Sequence, residues 1–440
     1  MNTSDLLSRL HIGQLNDMQH DTAAAILDTD GDVVLLSPTG TGKTLAYLLP
    51  LLQLVDADSP EPQALVVTPG RELALQSAGV LQSMGSGIRC MACYGGRPAM
   101  DEHRQMRAQR PQIVFGTPGR LNDHLAKHNL TAGSIRYLVI DEFDKSLEMG
   151  FQADMQRLLT SLPGLERRIL LSATKAGQIP QFVNMARRGT LVDYLPSGHP
   201  DGARLTLYQV HSPHRDKLDT LRRLLLTLGG ESSIVFLNHR DSVERTSSYL
   251  QEQGFATARL HGAMEQRQRE DMLYQFSNGS ASVLVATDLA SRGLDIADVG
   301  NIVHYHLPES QQAYVHRVGR TARWQATGRT YFILSADEHI PSYIDAHVQT
   351  FEPAASSQQP AAPKNTTIYI GKGKKDKISK GDIVGFLCKS AGLTPVEIGR
   401  IDVRERYAYA AISRERLPQV LRLAQGAKIK GLKTVVEPVR

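Results

Sequence analysis

Two short stretches hold residue types that can do phosphate chemistry. Ser37-Pro-Thr-Gly-Thr-Gly-Lys-Thr44 follows the apolar run Val33–Leu36 and precedes a helical pattern. It is a P-loop in which Ser37 stands where the first Gly would be. Backbone N–H groups around Thr39, Gly40, Thr41 and Gly42 can converge on phosphate oxygens at a helix N-terminus. Lys43 would reach the β and γ phosphates, and Thr44 would give its hydroxyl to Mg²⁺. The competing reading, a Gly-rich turn that caps a helix, leaves the Lys43-Thr44 pair unexplained. Further on, the apolar run Tyr137–Ile140 stops at Asp141-Glu142-Phe143-Asp144. A carboxylate at a strand tip, Asp141, can hold the metal through water. Its neighbour Glu142 can orient and deprotonate an attacking water. Asp144 would face partner motifs instead. The alternative is a polar loop that sheds charge into water.

The elements that must position these residues follow from the apolar pattern. Runs at Ala64, Gln112, Tyr137 and Arg168 are separated by helical periodicity, the mark of a mostly parallel sheet covered by helices. A Pro-, Gly- and Asp-rich stretch from Tyr194 reads as a linker. The pattern then restarts at Ser232, Phe255, Ser282, Asn301 and Arg329, which predicts a second α/β domain. Phe351–Asn365 is rich in Ala, Pro, Ser and Gln and reads as a flexible tether. The expected boundaries are 1–198, 199–350, a linker at 351–365 and a small mixed α+β domain at 366–440.

A chain of 440 residues accommodates two or three such domains. No apolar run has the length of a membrane span, and the start lacks the basic and apolar regions of a signal peptide. Three cysteines, Cys90, Cys93 and Cys388, give no disulfide framework. Cys90 and Cys93 have half-site spacing without a second pair, so no zinc is expected there. A cytoplasmic home without membrane association is the simplest reading. From Lys364 to Arg440 there are 17 basic against 7 acidic residues, a net of +10, whereas the preceding 363 residues net −5. A basic module on a mildly acidic body suggests a polyanion-binding tail, the alternative being a solubilising surface.

With these motifs in order, the chain resembles the DEAD-box RNA helicases over residues 1–350, with Phe143 in the Ala place of the name-giving tetrapeptide. The resemblance implies two tandem RecA-like domains, ATP and Mg²⁺ as cofactors and RNA as partner. It makes Gln19 the adenine-recognising glutamine, with Asn16 where a Pro is usual; without the family, Gln19 would pass for a helix-surface residue. Thr68–Ala74 resembles the first RNA-backbone motif, with Gly70 for Thr and Arg71 retained. Gly95-Gly96 and Thr117–Arg120 resemble the next two. Ser172-Ala-Thr174 resembles the motif that couples hydrolysis to strand separation, its hydroxyls able to bridge to the Asp141–Asp144 loop. In the second domain, His261, Gly262, Gln266 and Arg269 match an RNA-side motif. Ala286–Asp295 matches one that touches RNA through Thr287 and Arg292 and ribose through Asp295. In His316–Arg323, Arg320 and Arg323 sit three apart, which on a helix or tight turn puts two guanidiniums on one face. The γ-phosphate is their natural target, with Arg320 as arginine finger, and His316 would meet the Ser172–Thr174 region. Taken alone, that stretch is a basic solvated helix.

The last segment resembles the RRM-like RNA-binding domain of a bacterial DEAD-box subgroup that targets a hairpin of large-subunit (23S) ribosomal RNA. Tyr407 and Tyr409 lie two apart on one strand and so share a face that can stack bases, or can pack a core. Lys372, Lys374, Lys375, Lys377 and Lys380 form a basic cluster suited to phosphates. The expected activity is ATP-dependent local remodelling of ribosomal RNA in pre-50S particles by a monomer. A general RNA chaperone or decay helicase, and an ATP-gated RNA clamp with little turnover, remain as alternatives.

Overall fold

The computed structural model describes the chain apart from residues 1–2, 97–98, 175–178, 184, 186–188, 196–204, 289–298, 322–327, 355–358 and 440. Among the described residues it contains two seven-stranded sheets, a four-stranded sheet and a two-stranded hairpin.

The first sheet is made of β1 (Val33–Leu36), β2 (Ala64–Val67), β3 (Cys90–Cys93), β4 (Ile113–Gly116), β5 (Tyr137–Ile140), β6 (Arg167–Ser172) and β7 (Thr190–Asp193). Its order is β3-β4-β2-β5-β6-β1-β7, and every pairing is parallel. The central strands are aliphatic throughout because helices cover both faces. Val33, Leu35, Val66, Val139 and Leu171 fill one core, and Leu65, Val114, Leu138 and Leu170 the other. Parallel strands put all their carboxyl ends on one edge. The sheet order divides that edge. The P-loop after β1, Ser172 closing β6 and Asp141 after β5 lie on adjacent strands. Arg71 after β2, Thr117 after β4 and Gly95 after β3 lie on the other half.

The second sheet repeats the plan with β8 (Leu205–His211), β9 (Ser233–Leu237), β10 (Thr257–Leu260), β11 (Val283–Thr287), β12 (Asn301–His304), β13 (Gly328–Leu334) and β14 (Val348–Thr350). The order is β10-β11-β9-β12-β13-β8-β14, again all parallel. His261, Thr287 and His306 therefore sit along one edge.

The C-terminal sheet is antiparallel: β15 (Asn365–Ile370), β16 (Ile398–Val403) and β17 (Ala408–Ser413), with the hairpin β18 (Lys428–Ile429)/β19 (Leu432–Lys433) preceding β20 (Val436–Pro438). Its order is β16-β17-β15-β20. One face, carrying Ile368, Ile370, Ala410 and Ile412, packs on Ile383, Phe386, Leu387 and Val420 of the helices Lys380–Lys389 and Leu417–Ala424. Ser379 and Asp382 form a capping box at the start of the first helix.

The expected tether is anchored where it is described. Phe351 packs edge-on against Tyr208 and Tyr331, Arg223 Nη2 donates to the Pro353 carbonyl at 3.1 Å, and the Ala354 amide donates to Thr227 Oγ1 at 3.1 Å. The packing of the Phe351 ring accounts for residues 351–354 being laid along the second domain. Among the described residues no helix is long and apolar enough to cross a membrane.

Candidate nucleotide and RNA site

The P-loop is shaped by its two glycines, Gly40 at φ +83° and Gly42 at φ +87°, a conformation that side chains disfavour. A Cβ at Gly42 would also meet Gln19 Nε2 at 2.4 Å. Ser37, the residue that departs from the motif, lies with its Oγ 2.7 Å from Thr41 Oγ1, across the base of the loop. Lys43 opens the helix Lys43–Leu54, and its Nζ donates to the carbonyls of Ser37 at 2.7 Å and Pro38 at 2.8 Å. Burial pulls its pKa down to about 8, against the opposing pull of Asp141 and Glu142.

Gln19 is no surface residue. It is 5% exposed, its Oε1 accepts from the Asn16 amide at 3.0 Å, and its Nε2 donates to the Gly42 carbonyl at 3.1 Å. Asn16 answers by accepting from the Gln19 amide and donating to the Thr41 carbonyl. Asn in place of the usual Pro thus caps the helix Asp17–Leu27 and pins it to the P-loop.

Just after β5, burial and the adjacent Glu142 carboxylate push the Asp141 pKa up to about 7. Glu142 has φ +52° and ψ +51°, a left-handed conformation for a branched-chain-free but bulky residue, and such strain clusters at functional positions. Its Oε1 is 2.7 Å from the Nζ of Lys145, a lysine with a fully buried side chain. Sequence reasoning missed Lys145; its i, i+3 spacing from Glu142 on a helical turn was the available signal. Thr174 Oγ1 donates to Asp144 Oδ2 at 2.7 Å, and Ser172 Oγ donates to the Thr174 carbonyl at 2.6 Å. Phe143, in the Ala place, is accommodated in the second core at 2% exposure. Asp141 and the Thr44 hydroxyl are hard oxygen donors, and a desolvated carboxylate pushed upward is one that a divalent cation would return to its ionised form. These residues fit Mg²⁺.

On the other half of the edge, Arg71 begins the helix Arg71–Met84, and its Nη1 lies where a Cβ on Gly96 would come within 2.8 Å. Gly96 therefore makes room for the guanidinium, and Gly95 precedes it. Thr117 is the N-cap of Pro118–Ala126. Arg120 is paired with Glu102 at 2.6 Å, with Asp123 at 3.7 Å. Cys93, Glu102 and His124 place ligand-type atoms within 4.8 Å of one another. The Arg120 guanidinium already supplies the positive charge at that carboxylate, and Glu102 is held below the usual range by His124 and Arg120 despite burial.

In the second domain His261 is buried, with Nε2 2.6 Å from Glu244 Oε1; Gly262 is exposed, while Arg269 and Thr287 are buried. The helix Gln311–Val318 ends before Arg320, which lies in the following turn at 3% exposure. Arg320 thus sits in a tight turn rather than on the helix itself. Arg323, Arg292 and Asp295 lie outside the described residues. His316 is buried on the helix at 3% exposure. Sequence reasoning passed over its neighbour Arg317. This side chain, 1% exposed, binds Asp288 at 2.5 and 2.7 Å, the His306 carbonyl at 2.7 Å and His304 Nδ1 at 3.1 Å.

In the C-terminal sheet, Lys374 and Lys375 donate backbone N–H bonds to the carbonyls of Arg404 and Glu405, each at 2.8 Å. The basic turn is thus stitched to the β16–β17 connection. Lys374, Lys375, Lys377 and Lys380 are exposed, while Lys372 pairs with Asp376 at 3.1 Å. Tyr407 is partly covered, with its ring 5.5 Å from the Arg267 guanidinium.

Comparisons with known proteins agree with this architecture. Residues 16–182 match the DEAD/DEAH box helicase family, residues 216–325 the helicase conserved C-terminal domain, and residues 367–438 the DbpA RNA binding domain. The ATP-dependent RNA helicase DbpA of Escherichia coli (strain K12) is 34% identical over 415 residues, covering 91% of this chain and 89% of that protein. The protein of the same name from Bacillus subtilis (strain 168) is 31% identical over 440 residues, covering 91% and 90%. Among solved structures, S. cerevisiae Dbp5 bound to RNA and ADP BeF3 superposes with a TM-score of 0.70 at 25% identity, over 79% of this chain and 93% of that one.

Proposed function

Because the chain belongs to the DEAD-box ATP-dependent RNA helicases that end in a DbpA-type RNA-binding domain, we propose that its ATP-dependent helicase activity is directed at large-subunit (23S) ribosomal RNA in pre-50S particles, in the cytoplasm and as a monomer. The observation that carries this reading is the C-terminal module: its family match at residues 367–438 coincides with the segment whose net charge is +10. An exposed basic turn on such a module favours RNA phosphates.

The assigned roles follow from the chemistry of each site. Thr39–Thr44 hold the nucleotide phosphates. Lys43 exchanges the carbonyls of its own loop for phosphate oxygens, and Gln19, already fixed against the loop, reports the adenine. Thr44 and Asp141 hold Mg²⁺, which supplies charge neutralisation at the phosphates when bound. Glu142 takes the proton from the attacking water, with Lys145 holding its carboxylate in place. Arg320, with Arg323, would stabilise the charge that develops on the transferred phosphoryl group. Asp295 serves the ribose. The Thr174–Asp144 hydrogen bond ties the catalytic turn to the end of β6, so a change at the nucleotide can be felt at the coupling motif. His316 is the corresponding group of the second domain. Arg71, Gly95, Gly96 and Thr117 on the first domain, with His261, Gly262, Arg269, Thr287 and Arg292 on the second, serve the RNA backbone. Since the catalytic groups are divided between the domains, turnover requires both to engage one nucleotide.

The test is RNA-stimulated ATPase of the full chain at fixed salt. Large-subunit ribosomal RNA, an unrelated structured RNA and DNA are compared for the native protein and for Lys374→Glu/Lys375→Glu. Selective stimulation by ribosomal RNA that the double variant loses is the expected result. Equal stimulation by both RNAs would make the protein a general remodeller. Binding of RNA with ATP but without turnover would make it a clamp.

A further inference from the structure

The helix Gln266–Ser277 has two working faces. Gln266 and Arg269 belong to the stretch proposed to serve RNA. Arg267, Asp271 and Tyr274, spaced i, i+4, i+7, form a stripe on the opposite side. That stripe lies against the face of β15 and β17 that bears Tyr369, Tyr407 and Tyr409. The Arg267 guanidinium stands 5.8 Å from the Tyr369 ring and 5.5 Å from the Tyr407 ring. The Tyr409 hydroxyl donates to Asp271 Oδ1, and the Tyr274 and Tyr409 rings are 5.1 Å apart. Just past the helix, Asn278 Nδ2 donates to Thr367 Oγ1 at 2.8 Å, on the same face of the sheet. Tyr409 and Thr367 are left 1% and 2% exposed.

A sheet face kept for bases offers its rings to solvent. Here the rings are packed on one another and beneath an arginine, and hydroxyls at the middle of the face hydrogen-bond to the helix and its end, the Thr367 bond buried and the Tyr409 bond partly so. Lifting the face away would exchange the Asp271 and Thr367 hydrogen bonds for bonds to water and expose the packed rings, so each bond adds a modest net gain to the apolar contact. The combination of aromatic contact, cation–π contact and buried polar pairing is that of a specific interface.

We propose that this aromatic face is a joint: it fixes the C-terminal module onto the second helicase domain, leaves the basic turn at 372–377 as the module's grip on RNA, and thereby sets where a gripped RNA meets Gln266 and Arg269 on the far side of the same helix. The proposal rests on the reading that the basic turn holds RNA. It assigns Tyr409 to the joint and removes it from base stacking.

The experiment uses the full chain with spin labels at Ser248→Cys and Val396→Cys in a Cys388→Ser background; both labelled positions are exposed, and Cys90 and Cys93 are buried. Pulsed electron resonance reads the distance between second domain and module. One narrow distance is expected, broadened by Asp271→Ala with Arg267→Glu, which alter no residue of the module, and by Tyr409→Phe to a lesser degree. In the unlabelled Asp271→Ala/Arg267→Glu protein, unwinding of a short duplex adjoining a large-subunit ribosomal RNA transcript should slow by about tenfold through lost positioning, with affinity for that transcript held within about twofold. A broad distance in the native protein overturns the joint. So does broadening without slower unwinding. A rise of RNA affinity on release would instead make the contact a mask over a stacking surface, and also overturns the proposal. Separately, unchanged transcript affinity in Lys374→Glu/Lys375→Glu, with the narrow distance retained, would defeat the RNA-grip reading and leave the joint standing.

Discussion

At the scale of single residues, the His316–Arg323 stretch separates chemistry from architecture. Arg317 is held by Asp288, the His306 carbonyl and His304, and its guanidinium stands 5.1 Å from the Phe236 ring. Arg317→Leu removes the guanidinium that bonds these groups together. It should destabilise the second domain by about 3–5 kcal/mol, the usual result of breaking a buried ion pair. Urea unfolding of the full chain would show this as an earlier transition of that domain. The same neighbourhood predicts a pH dependence. Burial first, then Lys217, lowers the His306 pKa from 6.5 to about 4, and burial with Arg317 lowers that of His304 well below 6.5. Between those values the unfolded chain binds protons that the folded domain does not. Stability is therefore fully present above pH 6.5 and is lost as pH falls toward about 4. Urea midpoints across that window should fall with pH, and fall less in His306→Asn. At the catalytic turn, Glu142→Gln keeps the shape and the left-handed backbone but cannot accept a proton. It should lower RNA-stimulated turnover by roughly 10²–10⁴-fold while nucleotide binding, measured by titration without RNA, persists.

At the scale of elements, Gly373 shows how the basic turn is held. Its φ is −142°, so its backbone suits any residue. A Cβ there would nevertheless meet the Arg404 carbonyl at 2.4 Å and the Tyr407 amide at 2.6 Å, both backbone atoms of the β16–β17 connection. Gly373→Ala must push these apart and should destabilise the C-terminal module by about 1–3 kcal/mol, visible as faster amide exchange at residues 404–409. The strands themselves were unequally legible in the sequence. Those with neighbours on both sides and cover on both faces, such as β2, β5, β9 and β11, announced themselves as aliphatic runs. The ones without such runs were β3, β7, β8 and β14. Three of these are sheet edges and β8 lies next to one. β7 has one buried residue and β14 none, so no continuous apolar run is required of them. β3 is built of Cys, Met and Ala, which have little intrinsic strand character. The site divides in the same way. Lys43, Asp141 and Thr174 were legible because fixed spacing accompanies their chemistry. The pairing of Arg120 with Glu102 and the burial of Gln19 against Gly42 were not, because those partners lie 18 and 23 residues away.

At the scale of the whole molecule, charge is partitioned more sharply than its net of +5 suggests, since residues 364–440 carry +10 and the rest carries −5. Exposed charges are screened beyond about 8 Å at physiological salt, so the acidic body cannot neutralise the exposed basic turn of the module at a distance. An RNA phosphate that approaches Lys374, Lys375 or Lys377 meets the local field. Counterion release then predicts that the logarithm of the RNA association constant falls linearly with the logarithm of salt. Each of Lys374→Gln and Lys375→Gln should reduce the magnitude of the slope by roughly 0.7, the value for one contact to a single strand. Nucleotide affinity without RNA should be unmoved, because the P-loop and Gln19 belong to the first sheet's own edge. Fluorescence anisotropy with one labelled RNA across a salt series measures the slope. An unchanged slope in both variants would reduce the basic turn to a solubilising surface. A loss confined to affinity at a single salt, with the slope intact, would point instead to a structural change of the module, which the exchange rates at residues 404–409 would reveal independently.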